Sequence, residues 1–187
     1  MQKYFKEQQI DWHESQQNGV IRKLKSRKNW SALWNQKMQS APAVVNLDTA
    51  QFLNLDKALY ETIKGPELPQ QIAAHHPSFQ RGGETYAWKY LYSFLQDRHQ
   101  NYSLHISKPL LSRKGCSRIS PYLSYGNISM RMVFQQTMQV YPTSYSKRAL
   151  SNFMSRLHWH CHFIQKFEVE CRIGFENINS SYDSIVK

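Results

Sequence analysis

The stretch Cys116-Ser117-Arg118-Ile119-Ser120-Pro121-Tyr122-Leu123-Ser124-Tyr125-Gly126-Asn127-Ile128-Ser129 puts hydroxyls, one cation and small residues into a turn ahead of two helical patterns. Ser117 and Ser120 are three residues apart, so either hydroxyl can serve the start of a helix whose first turn holds Pro121. Two readings follow. One is a plain N-cap. In the other, the free amides of a helix start, the two hydroxyls and Arg118 together hold a phosphate group.

Working outward, the next pattern is Met130, Val133, Phe134 and Met138, which predicts a helix over Met130–Val140, closed by Tyr141-Pro142-Thr143. Ser144 or Ser146 is expected to cap a longer helix over Lys147–Glu170, central to the fold. Phe153, Leu157, Ile164 and Phe167 are expected along one side of it, and Arg156, Trp159, Phe163 and Lys166 along another. Upstream, Gly82-Gly83 precedes a helix over Glu84–Arg98 whose Ala87, Leu91, Phe94 and Leu95 share a face. Asn101–Gly115 reads as irregular. Trp30, Leu33, Trp34 and Met38 fall at helical spacing. Residues 39–83 are dominated by loop signals such as Gly65-Pro66 and His76-Pro77, with one short helix expected around Phe52–Ile63. The reading is all-α. Residues 1–80 form a connector region of short helices and loops, and residues 81–187 form a helical domain.

Two long motifs add to this. Ser117–Ser129 resembles the flavin-phosphate motif of the DNA photolyase and cryptochrome family. Phe153-Met154-Ser155-Arg156-Leu157-His158-Trp159-His160-Cys161-His162-Phe163-Ile164-Gln165-Lys166-Phe167-Glu168 is similar to a second motif of that family, in the same order. Gln16–Met38 resembles the connector ahead of the family's flavin domain, and Glu84–Arg98 the first helix of that domain.

The resemblance implies a helical FAD-binding domain of photolyase/cryptochrome type, incomplete within these residues. It implies FAD as cofactor and DNA containing pyrimidine dimers as partner. The implied activity is that of a deoxyribodipyrimidine photolyase, a carbon–carbon lyase driven by light. A cryptochrome-type blue-light photoreceptor is the alternative. Tyr102, Cys116, Ser117, Arg118, Ile119, Ser120, Phe153 and His160 are the implied cofactor-binding residues. Cys116 stands where many members have threonine, and a thiol is a poor hydrogen-bond donor. Trp159 matches a tryptophan that stacks on a flipped base; packing in a helical core is its other reading. Arg156 replaces a glutamate, and His160 and Cys161 replace Arg and Glu. The family's antenna domain, its flavin-ring acid and its electron-relay tryptophans are expected outside this chain. The long helix is therefore expected to expose apolar surface, and a carboxy-terminal half is an expected partner.

Charge gives an independent signal. The formal net charge is +11, and between Arg98 and Lys166 there are ten Lys and Arg and no Asp or Glu. A field of this kind draws polyanions, with Arg113, Lys114, Arg118 and Arg156 as candidate phosphate contacts; a solvated basic surface is the plainer reading. A nucleic-acid-binding fragment without catalysis is thus a further alternative. Hydrophobic residues make up 41%, without a run of membrane-spanning length, so no membrane partner is expected. The odd number of cysteines, 3, suits a reducing, cytoplasmic setting. His158 and His162 share a helical face with Cys161 nearby, a spacing that zinc can use, but no second ligand pair of standard spacing accompanies them and no metal is assigned.

Overall fold

Gly83 adopts φ 99°, a conformation open to glycine, and the chain turns there into α5 (Glu84–Gln96). Ala87, Leu91, Phe94 and Leu95 recur at helical spacing and are all buried on that helix. α9 (Met130–Val140) begins where the Ser129 hydroxyl accepts from the Met132 amide at 3.1 Å. It buries Met130, Val133, Phe134 and Thr137, and the Thr137 hydroxyl donates to the Val133 carbonyl at 2.8 Å. α10 (Lys147–Val169) is the longest helix, 23 residues or roughly 34 Å. Its buried row is Ala149, Phe153, Leu157, Cys161 and Gln165, one residue every four, with Leu150 beside it.

The computed structural model describes residues 2–185, and among these there are helices and turns but no strand. The remaining helices are α1 (Gln2–Glu7), α2 (Trp30–Gln39), α3 (Lys57–Ile63), α4 (Gln70–Ala73), α6 (Tyr102–His105), α7 (Pro109–Gly115) and α8 (Ser120–Ser124). Trp30, Trp34 and Met38 of α2 join the same buried cluster as α5, α9 and α10. The Trp34 ring stands edge-on to Phe134, with centroids 5.4 Å apart. Each large apolar side chain buried here contributes roughly 1.5–3 kcal/mol.

The chain ahead of α2 is sealed onto α10 by polar contacts. The buried Gln165 amide accepts from the Ile21 N–H at 2.7 Å and donates to the Ile21 carbonyl at 2.9 Å. Trp30 Nε1 donates to the Gly19 carbonyl at 2.9 Å. A Cβ on Gly19 would stand 1.9 Å from Trp34 Cδ1, so only glycine fits there.

Residues 41–79 behave differently, since none of them is buried. Both ends of this segment are pinned. Arg131 donates to Ser40 Oγ at 3.0 Å and to the Ala41 carbonyl at 2.8 Å. At the other end the Tyr122 hydroxyl donates to the Arg81 carbonyl at 2.7 Å. No helix among the described residues is long and apolar enough to cross a membrane.

Several expectations need correction. Asn101–Gly115 is largely helical: Pro109 opens α7 at a position where its missing N–H costs nothing. Leu33 is half-exposed because α2 turns only its Trp30–Trp34–Met38 row inward. On α10, Ile164 and Phe167 are exposed, and Cys161 and Gln165 take the buried row. Their neighbours explain this, since Cys161 Sγ meets Met130 Sδ at 3.3 Å and Gln165 meets Ile21. Ser146 occupies the N-cap of α10 without a side-chain cap bond; its amide instead donates to Ser144 Oγ at 3.0 Å. α10 does present apolar surface to solvent, through Trp159, Phe163, Ile164 and Phe167.

Candidate functional site

A groove of about 510 Å³ runs between the link from α7 to α8 and the middle of α10. It is built from the scaffold up. Arg98, just past α5, donates to the carbonyls of Tyr90 (2.7 Å), Ser117 (3.4 Å), Lys114 (3.4 Å) and Cys116, which fixes the backbone of the serine-rich link against α5. Tyr102, from α6, lies against Phe94 and Phe153 with centroids 5.5 and 5.7 Å away. Phe153 and Arg156 come from successive turns of α10, and Met130 from the start of α9.

The structure brings together Tyr102, Cys116, Ser117, Arg118, Ile119, Ser120, Phe153, Arg156 and His160 as lining residues of this one groove. Lys114 and Trp159 do not line it. Lys114 is exposed, on the last turn of α7. Trp159 lies outside on the exposed side of α10, 48% accessible, so it is not a core residue. Arg156 links the two places: it lines the groove, and its guanidinium lies 4.9 Å from the Trp159 ring centroid.

The serine-rich turn is not the cap that the sequence suggested. Ile119 occupies the N-cap of α8, no side chain caps the helix, and Ser120 is already its first residue. α8 is only 5 residues long, so its dipole is negligible as a source of positive potential. The cationic character of the groove therefore comes from Arg118 and Arg156. Arg118 has φ 60°, a left-handed conformation that costs a non-glycine residue about 1–2 kcal/mol. Gln9 and Lys23 share this conformation outside the groove, so the backbone of Arg118 does not by itself mark a site.

Among the groove's lining residues there is no Asp or Glu. Burial pushes the Cys116 thiol up, against the pull of Arg98 and Arg118, so it stays a neutral thiol at pH 7. Burial likewise pushes Tyr102 up to about 12, with Cys116 adding to it and Arg156 opposing it. The groove thus combines guanidinium groups, hydroxyls and a neutral phenol over an apolar floor. That donor set accepts an anion and repels nothing negative.

Gln80 also lines this groove, and sequence reasoning missed it. It belongs to no motif, and only its nearness to the Gly82-Gly83 loop signal marked the neighbourhood. Two histidines of the second motif serve packing: His158 lies 4.8 Å from Trp30 and 4.9 Å from Trp34 by ring centroids, and His162 lies 5.8 Å from Trp30. Burial and the neighbouring His162 lower the His158 pKa. Among the described residues no group of three or more His, Cys, Asp or Glu converges as a metal site. A second hollow, about 470 Å³, lies beside Glu14, Arg22 and Glu168, where Arg22 already pairs with Glu14 at 3.0 Å and Glu168 at 3.9 Å.

No family model matches this chain, and no curated protein or solved structure matches it either.

Proposed function

We propose that the groove between the α7–α8 link and α10 binds the phosphates of FAD, and that the chain is the flavin-binding segment of a photolyase- or cryptochrome-like protein. The observation that carries this reading is convergence. Residues from Cys116 to His160, assigned on two separate motifs, line one acid-free groove together with Tyr102, assigned upstream of them. The residues present fit the group. Arg118 and Arg156 supply positive charge, Ser117 and Ser120 supply hydroxyl donors, and Tyr102, Met130 and Leu157 offer apolar surface to a planar ring. When bound, the flavin would supply the light-driven electron chemistry that repairs pyrimidine dimers in DNA or signals blue light. This chain's own share is binding and orientation. Arg98 holds the serine-rich backbone in place, and the neutral Cys116 and Tyr102 add no negative charge against the phosphates.

The test is a titration of the purified chain with FAD and with riboflavin, which lacks the pyrophosphate, followed by flavin fluorescence. FAD is expected to bind more tightly. Replacing Ser117 and Ser120 with Ala should cost about 1.5–3 kcal/mol per lost hydrogen bond to charged phosphate, for FAD alone. Unchanged FAD affinity in the double variant would remove the phosphate role from this turn.

A second reading, a basic nucleic-acid-binding fragment without catalysis, is favoured by a separate observation. Among the described residues none of the ten cations between Arg98 and Lys166 forms an ion pair. DNA binding that falls steeply with salt in the absence of flavin would support it.

A further inference from the structure

Arg118 is held from a distance of 38 residues by one side chain. Gln80 Oε1 accepts from Arg118 Nε at 3.2 Å and from Nη2 at 3.1 Å, while Gln80 Nε2 donates to the Arg118 carbonyl at 2.9 Å. The three contacts fix both the guanidinium and the left-handed backbone that carries it. They occupy one edge of the guanidinium. Nη1 makes no hydrogen bond among the described residues, and the Arg118 side chain forms no ion pair among them.

The chemistry of the clamp matters as much as its geometry. A carboxylate at the same place would meet the same edge as a bidentate ion pair and cancel its charge. An amide has the same shape and the same acceptor oxygen but is neutral. It orients Arg118 and leaves the full positive charge facing a groove whose lining includes no acid.

We propose that Gln80 is the positioning and specificity residue of this groove, a neutral clamp that reserves Arg118 for a phosphate-bearing ligand. This rests on the reading of the groove as a phosphate site. It adds a residue outside both motifs and states why that residue is an amide.

The test compares two near-isosteric variants in the full chain, Gln80→Glu and Gln80→Met, using inorganic pyrophosphate and FAD as probes by calorimetry and following thermal unfolding in parallel. Gln80→Glu keeps an acceptor on the guanidinium edge and cancels the charge, but loses the donor to the Arg118 carbonyl. It is expected to weaken both probes about tenfold or more, or about 1.4 kcal/mol, with an unfolding temperature above that of Gln80→Met, because the new ion pair offsets the lost hydrogen bond. Gln80→Met keeps the charge and loses the clamp. It is expected to weaken both probes less than Gln80→Glu does, with a lower unfolding temperature. The reverse order, with Gln80→Met the weaker binder, would make Gln80 a structural latch and overturn the proposal. If the parent binds the probes and Gln80→Glu binds them within twofold of it, this inference falls while the phosphate reading stands. If the parent binds neither probe, both fall.

Discussion

Residues 41–79 and residues 84–169 hold the same kinds of large apolar side chain and use them in opposite ways. Phe94 is 0% accessible on α5, whereas Phe52 is 76% accessible, along with Val44 at 95% and Leu53 at 82%. Apolar content does not separate the two regions; periodicity does. In 84–169 the apolar residues of α5, α9 and α10 recur every three or four positions over 11 to 23 residues, so whole rows turn inward together, and the short helices α6 and α8 bury Tyr102 and Tyr122 against them. In 41–79 the helices α3 and α4 have 7 and 4 residues. Pro42, Pro66, Pro69 and Pro77 interrupt the chain between and around them. Helices of that length do not sustain themselves, and without a continuous row they have nothing to dock. The groove is assembled on the ordered rows of α9 and α10, and no residue of 41–79 lines it; Gln80, just past that segment, is partly buried and reaches Arg118.

The strongest challenge to this comparison is one substitution made in the ordered half. Phe94 touches Tyr102 and Phe153, with centroids 5.5 and 4.7 Å away, and so supports the wall of the groove itself. Phe94→Ala is expected to lower unfolding free energy by about 3–5 kcal/mol, measured by urea denaturation. Domains of this kind have only about 5–15 kcal/mol in total, so the variant should be poorly folded at 37 °C. A loss below about 1 kcal/mol would mean that the α5–α10 contact is not the centre of the core.

A smaller effect sharpens the boundary between the two kinds of region. Residues 19–29 form no helix yet are held, because Gln165 satisfies both backbone groups of Ile21. Gln165→Leu keeps the volume and strands one N–H and one C=O. The expected cost is about 1–3 kcal/mol, at the low end because Ile21 is only partly buried and water reaches it. Trypsin should then cut at Arg22–Lys28 as readily as in 41–79. Continued protection of that cluster would show that Trp30 and Trp34 alone hold the segment.

How far the sequence could be read follows the same division. The helix over Met130–Val140 has the bounds that its pattern implied, and α10 ends one residue short of its expected limit. Both have a long apolar period and clear end signals. The face of α10 was only half legible. Its pattern offers two aromatic rows, and nothing local decides between Phe167 and Gln165; the decision lies with Ile21, 144 residues away. A buried glutamine looks like a surface residue until its partner is known. The lining of the candidate site was legible at Cys116–Ser120 and at Phe153 and His160, whereas Arg156, read as a DNA contact, lines the same groove. The lining was illegible at Gln80, whose role depends on an approach across 38 residues that no spacing rule encodes.

The smallest expected effect is the most direct check on the contrast, because it repeats the first substitution in the other region. Phe52→Ala removes the same atoms as Phe94→Ala. In the folded chain the Phe52 ring is already largely in water, so folding gains little from it and loses little without it. The expected change in unfolding free energy is within about 0.5 kcal/mol, with an unchanged urea slope. The slope matters because it tracks the surface buried on folding, and a segment that is exposed in both states contributes nothing to it. A loss near that of Phe94→Ala would mean that residues 41–79 bury their apolar side chains in solution, against this chain or a second copy. Measuring Phe52→Ala across a hundredfold range of protein concentration separates those two cases, since only burial between copies depends on concentration.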